Sequence, residues 1–269
     1  MMSNKRFIPF HENQICFQTQ GTGSVIVLLH GFLESMEMWR RMADDLARKN
    51  RVILIDLPGH GQSDQISETH SMELMAEAVN EVLVYTNTEA VVMIGHSMGG
   101  YVSLAFAEKY PEKIMGLGIF HSHALADTTE AKISRGRAIQ AVKENHKDFI
   151  SHFIPDLFTP QNQQLLAKEI EQMQSEARLM TKDSVIASLE GMRRRTDKVK
   201  LLSQLNVPVF FIIGKQDPRN PLEKMYSQIG LPKHVEVLIL ENVAHMGYLE
   251  SYSVCHRFID HFIGTCWYQ

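Results

Sequence analysis

Apolar residues along this chain recur in two rhythms, and the alternation between them lays out a fold. Runs dominated by β-branched and other apolar residues stand at Ser24–Leu29, Arg51–Asp56, Val91–Ile94, Ile114–Phe120, Val207–Ile213 and Val235–Leu240. Such runs suit strands buried on both faces, as in a parallel sheet. Between them, Glu37–Lys49, Ser71–Tyr85, the residues from Gly99 to Tyr110, Pro221–Ile229 and Tyr248–Ile263 carry helical periodicity. Ser71 is placed to cap its helix and Pro111 to stop the one before it. Ahead of the first run, Arg6–Phe10 and Asn13–Gln20 are extended segments split by His11-Glu12, a predicted antiparallel hairpin. Strands alternating with helices at this spacing specify an α/β fold with a parallel sheet covered on both faces.

The alternation breaks once. From Ala124 to about Lys198 the pattern is helical and charge-rich, with Pro155 and Pro160 as punctuation and no strand-like run. This reads as a helical insertion (residues 124–197) in a single core domain formed by residues 1–123 and 198–269. Its apolar residues Leu125, Phe149, Phe153, Ile154, Leu157, Phe158, Met180, Leu189 and Met192 either roof a pocket or pack the insertion onto the core.

Composition narrows the function classes. A length of 269 residues with 44% apolar content supplies a real core. The net charge of −4 gives no reason to expect a nucleic-acid partner, and Arg193-Arg194-Arg195 is short enough to be a solvated helix end. Three cysteines, Cys16, Cys255 and Cys266, are an odd number without CxxC spacing, which argues against a disulfide framework or a zinc site. The first 20 residues lack the apolar stretch of a signal peptide, broken as they are by Pro9, His11, Glu12 and Asn13. No run approaches the ~18 apolar residues of a membrane span. The simplest expectation is a soluble cytoplasmic protein.

Candidate chemistry centres on Gly95-His96-Ser97-Met98-Gly99, between a buried strand and an amphipathic helix. Gly-x-Ser-x-Gly in that setting is the nucleophile elbow, a sharp turn that raises a serine hydroxyl at a strained tip. Out of that setting the same five residues could be a surface loop. Ser97, Asp217 and His245 each follow the end of a predicted parallel strand, the edge where open α/β sheets bind ligands. Serine needs a base to become a nucleophile, and the base needs a carboxylate to orient it. The order Ser, Asp, His is compatible with that set. Asp217 precedes Pro218 and could instead be a turn residue; Asp183 and Asp197 are rival acids but lie in the insertion. His256 and His261 fall within the last helix, unlike His245.

Backbone N–H groups of Met98 and Phe32 are the candidate oxyanion donors, with Gly31 permitting close approach and His30 holding the loop. His96 is expected to support the elbow. His121-x-His123 follows a strand, where both side chains would share a face and line the pocket mouth. A metal pair is the other reading, but no third ligand with zinc-like spacing accompanies it, and no metal or cofactor is expected. Asp56 with Pro58-Gly59-His60-Gly61-x-Ser63 reads as a turn-building segment.

Taken together, His30-Gly31-Phe32, Asp56-Leu57-Pro58-Gly59-His60-Gly61-Gln62-Ser63, Gly95–Gly100, Gly214-Lys215-Gln216-Asp217 and Val243-Ala244-His245 resemble the α/β-hydrolase fold enzymes. The similarity is to the branch of small serine esterases, haloperoxidase-like perhydrolases and carbon–carbon bond hydrolases. It covers the chain outside the insertion, which corresponds to that family's cap. The resemblance implies an eight-stranded, mostly parallel sheet with the second strand antiparallel, and a substrate pocket between sheet edge and cap. Epoxide hydrolases and haloalkane dehalogenases look alike but place an aspartate at the elbow, where this chain has Ser97. The implied activity is cofactor-free hydrolysis of an ester or related acyl small molecule. A carbon–carbon bond hydrolase or lyase, and a non-catalytic ligand-binding protein on the same fold, are the alternatives.

Overall fold

The computed structural model describes residues 5–267; the outermost residues of the expected core, 1–4 and 268–269, lie outside the described residues. Eight strands form one sheet in the order β1-β2-β4-β3-β5-β6-β7-β8. They are β1 (Lys5–Phe10), β2 (Asn13–Gln20), β3 (Val25–Leu29), β4 (Arg51–Ile55), β5 (Val91–His96), β6 (Ile114–Phe120), β7 (Val209–Gly214) and β8 (Val235–Leu240). The hairpin partner β2 runs antiparallel to both β1 and β4, and all other pairings are parallel. β5 and β7 are buried at every position, as their unbroken apolar runs require of strands covered on both faces. β8 at the sheet edge instead alternates between exposed and half-buried positions until Leu240.

The helices are α1 (Arg40–Leu46), α2 (Met72–Tyr85), α3 (Met98–Lys109), α4 (Thr129–Phe153), α5 (Pro160–Leu165), α6 (Ala167–Ala177), α7 (Lys182–Arg194), α8 (Val199–Gln204), α9 (Leu222–Tyr226), α10 (Gly247–Glu250) and α11 (Tyr252–Trp267). α2 begins as expected, with the Ser71 hydroxyl accepting from the Leu74 N–H. α3 is buried along almost its whole length, from Met98 to Ala107. α4 to α8 connect β6 to β7, so the single break in the apolar rhythm is one helical crossover. α4 is interrupted at Asn145, whose backbone is non-helical.

Three boundaries differ from the sequence reading for local reasons. The helix expected from Glu37 opens as a 3-10 turn over Met36–Trp39, started by Ser35, whose side chain accepts the Glu37 N–H. The elbow strand runs on to His96 because its ladder to β6 continues through Gly95 and His96. The last helix is two, parted at Ser251, because the single turn of α10 is bent around the Glu250 carboxylate, which binds the N–H groups of Ala244 and Met246.

Close packing at the elbow depends on two glycines. A Cβ on Gly95 would lie 2.2 Å from the Gly99 carbonyl oxygen, and one on Gly99 would lie 2.5 Å from the Leu29 oxygen. Helix α3 can therefore enter directly over β3 and β5 only with glycine at both positions.

Candidate active site

The strand order puts the chemistry in one place. β5, β6, β7 and β8 are parallel neighbours, so the loops after β5 (Ser97), β6 (His121), β7 (Asp217) and β8 (His245) open on the same sheet edge. Ser97 has φ 51° and ψ −114°, a left-handed conformation for a non-glycine residue. Strain of this kind costs about 1–3 kcal/mol and persists only where the surroundings impose it. Here β5 and α3 impose it, with Ser97 N–H held by the Phe120 carbonyl and its own carbonyl taken by the Ser122 hydroxyl.

Ser97 Oγ lies 2.9 Å from His245 Nε2, and His245 Nδ1 lies 2.8 Å from Asp217 Oδ2. The three residues that the sequence placed at separate strand ends thus form one hydrogen-bonded chain. Asp217 Oδ1 accepts the N–H groups of Arg219 and Asn220 at 2.8 and 3.0 Å, which makes its turn role and its site role the same arrangement. Burial alone would raise the Asp217 pKa, but His245 and His121 outweigh it and hold the carboxyl well below its ordinary range. Asp183 begins α7, and Asp197 accepts the N–H of Ala126 and Val199; neither belongs to this chain of bonds.

His121 and His123 do not share a face as expected. His121 takes φ 47°, which turns the backbone at the end of β6 and sends the two rings apart. The His121 ring is buried beside Asp217, with Nδ1 3.5 Å from Oδ2 and Nε2 accepting the Gly247 N–H. Ligand atoms of His121, Asp217 and His245 come within 4.8 Å of one another, and these are the residues whose geometry could hold a metal ion. His123 faces the other way, toward Tyr101 and Lys224.

The loop after β3 lies across from the elbow. His30 accepts the Leu57 N–H at Nε2, so its neutral ring carries the proton on Nδ1 and donates to the Gly31 carbonyl at 2.8 Å. Burial lowers its pKa, in keeping with a neutral ring. Gly31 leaves room that a Cβ would take from Glu34 and His96. Among the described residues no protein acceptor takes the Phe32 N–H. Met98 is the first residue of α3, where a helix offers its N–H no internal acceptor.

Glu34 and Glu250 escaped the sequence reading. The Glu34 carboxylate accepts the Gly31 N–H at 2.8 Å, the His96 Nδ1–H at 2.9 Å and the Tyr248 hydroxyl at 2.8 Å. His96 Nε2 meets the His245 carbonyl at 2.9 Å, so both ring nitrogens face acceptors and both carry protons. Burial opposes that charge, but the Glu34 carboxylate overrides it and raises the His96 pKa. A buried ion pair therefore ties the β3 loop, the elbow and the His245 loop together. Glu250 holds the N–H groups on both sides of His245 and also accepts from Asn162 in α5. No periodicity marks either residue; only the three-residue distance of Glu34 from Gly31 is a local signal.

Ser97 and His245 open into a cavity of about 650 Å³, a size suited to a small molecule. Of the apolar residues in question, Phe149, Phe153, Leu157, Leu189 and Met192 line it, whereas Ile154 and Phe158 are buried in the core. Leu157, Leu189 and Met192 do both, lining the cavity while buried in the core cluster. The wall also carries the cationic or basic side chains of His123, Arg135, Arg137, Arg219 and Lys224, with the carboxylates of Glu34 and Asp127. Burial and the neighbouring Arg195 lower the Lys224 pKa to about 8.

A mostly parallel eight-stranded sheet with a serine elbow, an aspartate and a histidine at successive strand ends defines the α/β-hydrolase class. The chain belongs to the alpha/beta hydrolase fold family, whose model matches residues 24–252. It is 28% identical over 233 residues to the dihydrolipoyllysine-residue acetyltransferase component of the acetoin cleaving system of Pseudomonas putida, covering 85% of this chain but only 60% of that longer protein. It is 28% identical to the 2-hydroxy-6-oxononadienedioate/2-hydroxy-6-oxononatrienedioate hydrolase of Paraburkholderia phymatum, over 94% of this chain and 92% of that one. Among solved structures, a thermophilic esterase from Thermogutta terrifontis, with malate bound, superposes with a TM-score of 0.92 at 27% identity, covering 98% of this chain and 99% of the other. The Paraburkholderia relative is named as a hydrolase and the Thermogutta structure as an esterase, and each is matched over nearly its full length. Among the described residues no helix is long and apolar enough to cross a membrane.

Proposed function

We propose that the protein hydrolyses an ester or related acyl small molecule through an acyl-enzyme on Ser97. The carrying observation is the continuous chain from Ser97 Oγ through His245 to Asp217 beside a cavity of substrate size. His245 Nε2 takes the Ser97 proton as the oxygen attacks the substrate carbonyl carbon. The N–H groups of Phe32 and Met98 hold the resulting oxyanion, a contribution worth about a hundred- to a thousandfold per donor. His245 then protonates the leaving group, and water activated by the same nitrogen releases the acid. Asp217 keeps the imidazole in the tautomer that presents Nε2 as an acceptor and stabilises its cation. Residues 124–197 act as a cap that closes the cavity over residues of the core, 1–123 and 198–269. Replacing Ser97 by alanine tests the reading: ester turnover is expected to vanish, and full activity in Ser97→Ala would sink it.

A second reading uses the same residues to move protons during carbon–carbon bond hydrolysis. It is favoured by the Paraburkholderia relative, whose named substrate contains no ester or amide bond. Comparing turnover of p-nitrophenyl esters with turnover of a 2-hydroxy-6-oxo-dienoate separates the two.

A further inference from the structure

We propose that the cationic cluster in the cavity wall is a carboxylate subsite, so that the acyl compound cleaved at Ser97 is itself an anion with a carboxylate away from the scissile bond. This rests on the serine-hydrolase reading and names its substrate class.

All of the cluster except Arg219 is linked by direct contacts. Lys224 Nζ lies 2.8 Å from His123 Nε2, which lies 3.2 Å from the Tyr101 hydroxyl. The Arg195 guanidinium stacks 4.0 Å over the Tyr101 ring, and Asp127 bridges Arg195 and Arg135. Arg219 sits 4.5 Å over the Phe153 ring, on the same cavity. Asp127 is the sole carboxylate within 4.0 Å of any of these four cations among the described residues.

Hydrogen bonding is unbalanced in the same direction as charge. His123 Nδ1 accepts the Leu125 N–H, so the neutral ring carries its proton on Nε2. That proton has the Tyr101 oxygen as acceptor. Lys224 as an ammonium then faces another donor at 2.8 Å and finds no acceptor there. A largely buried ammonium left in this state costs free energy, and an oxyanion in the cavity lowers that cost by supplying both charge and lone pairs. A carboxylate offers two oxygens in a plane, which suits either a guanidinium fork or a single ammonium, and Arg219 and Lys224 both line this cavity. The apolar wall formed by Phe149, Phe153 and Leu157 is left to the carbon chain between that carboxylate and the carbonyl at Ser97.

The test is calorimetric binding to Ser97→Ala protein, which needs no catalysis. Succinate, glutarate, adipate, their dimethyl esters and inorganic phosphate are titrated into it, and the tightest diacid is titrated again after Lys224→Met or Arg219→Gln. A diacid is expected to bind at least tenfold more tightly than its dimethyl ester, and each substitution to weaken it roughly tenfold or more, as for loss of a charged hydrogen bond. Arg219 is exposed, so Arg219→Gln decides the matter if Lys224→Met does not fold. Diacid and diester binding alike, failure of every diacid to bind at millimolar concentration, indifference of the diacid to both substitutions, or tighter binding of phosphate would each overturn the proposal. Ester turnover surviving in Ser97→Ala would instead remove the nucleophile assignment and leave this binding comparison standing.

Discussion

At the Ser97 site the serine, histidine and carboxylate side chains are linked by short hydrogen bonds, whereas the Lys224 ammonium in the same cavity has no acceptor among the described residues. Ser97, His245, Asp217, His96 and Glu34 each have a protein partner at 2.8–2.9 Å, whereas the Lys224 ammonium faces another donor at 2.8 Å. The two regions share one cavity. A paired region is preorganised: its geometry is fixed before anything binds, as transition-state stabilisation requires. An unpaired region is completed by what binds, and so carries selectivity. In the proposed hydrolase the strand ends carry the reaction, and the helical crossover with α9 chooses the molecule.

The hardest break to that division is removal of the paired chain itself. Ser97→Ala or His245→Ala is expected to lower kcat for a p-nitrophenyl ester by roughly 10⁴–10⁶-fold with little change in KM, since these residues act together. Asp217→Asn is expected to cost about 10⁴-fold, because the amide selects the wrong imidazole tautomer; steady-state kinetics measures both.

Next in size is the buried pair beneath the reaction centre. Glu34→Ala leaves the charged His96 without its partner at side-chain exposures of 4% and 1%, and denaturant unfolding should show a loss of about 3–5 kcal/mol. The cationic region responds more mildly and through pH. Lys224, with its pKa lowered to about 8, is faced by His123, Arg195, Arg135, Asp127 and Asp217. As pH rises through 8 it loses its charge, so KM for a carboxylate-bearing ester should climb while KM for a neutral ester stays level.

A further expected effect is on stability against pH. Burial lowers the pKa of His70 and His121 to about 4, and lowers those of His30, His60 and His123 as well. Between about pH 4 and 6.5 the unfolded chain binds protons at these positions that the folded chain does not, so stability should fall as pH drops through that window. His96 has the opposite sign: its raised pKa gives stability that is present below the ordinary histidine pKa and is lost as pH rises through the folded value. Thermal melts of wild type across pH 4–9 should therefore fall off on the acid side, with a weaker decline on the alkaline side.

The same division explains what could be read without coordinates. Strand ends were legible because a buried strand has an unmistakable apolar run, and whatever polar residue follows it stands at the sheet edge; Ser97, Asp217 and His245 were found in that way. Glu34 and Glu250 were not, because a carboxylate that grips backbone N–H groups leaves no periodic trace. The His121 and His123 rings were misplaced because a single left-handed φ at His121 overrides strand alternation. The side chains of the cluster, Asp127, Arg135, Arg195, Arg219 and Lys224, stand up to 97 positions apart, across α4 to α8, β7 and α9 and the loops between them. Among solvated charges of the same type, nothing in sequence distinguishes those that turn inward.

The account stands most directly on Ser97 being an activated nucleophile. Exposure of the protein to a fluorophosphonate, followed by intact and peptide mass spectrometry, reads this without knowledge of the substrate. One adduct on the Gly95–Gly99 peptide, absent from Ser97→Ala and strongly slowed in His245→Ala, is the expected result. An unlabelled Ser97 in protein that still turns over esters would contradict it.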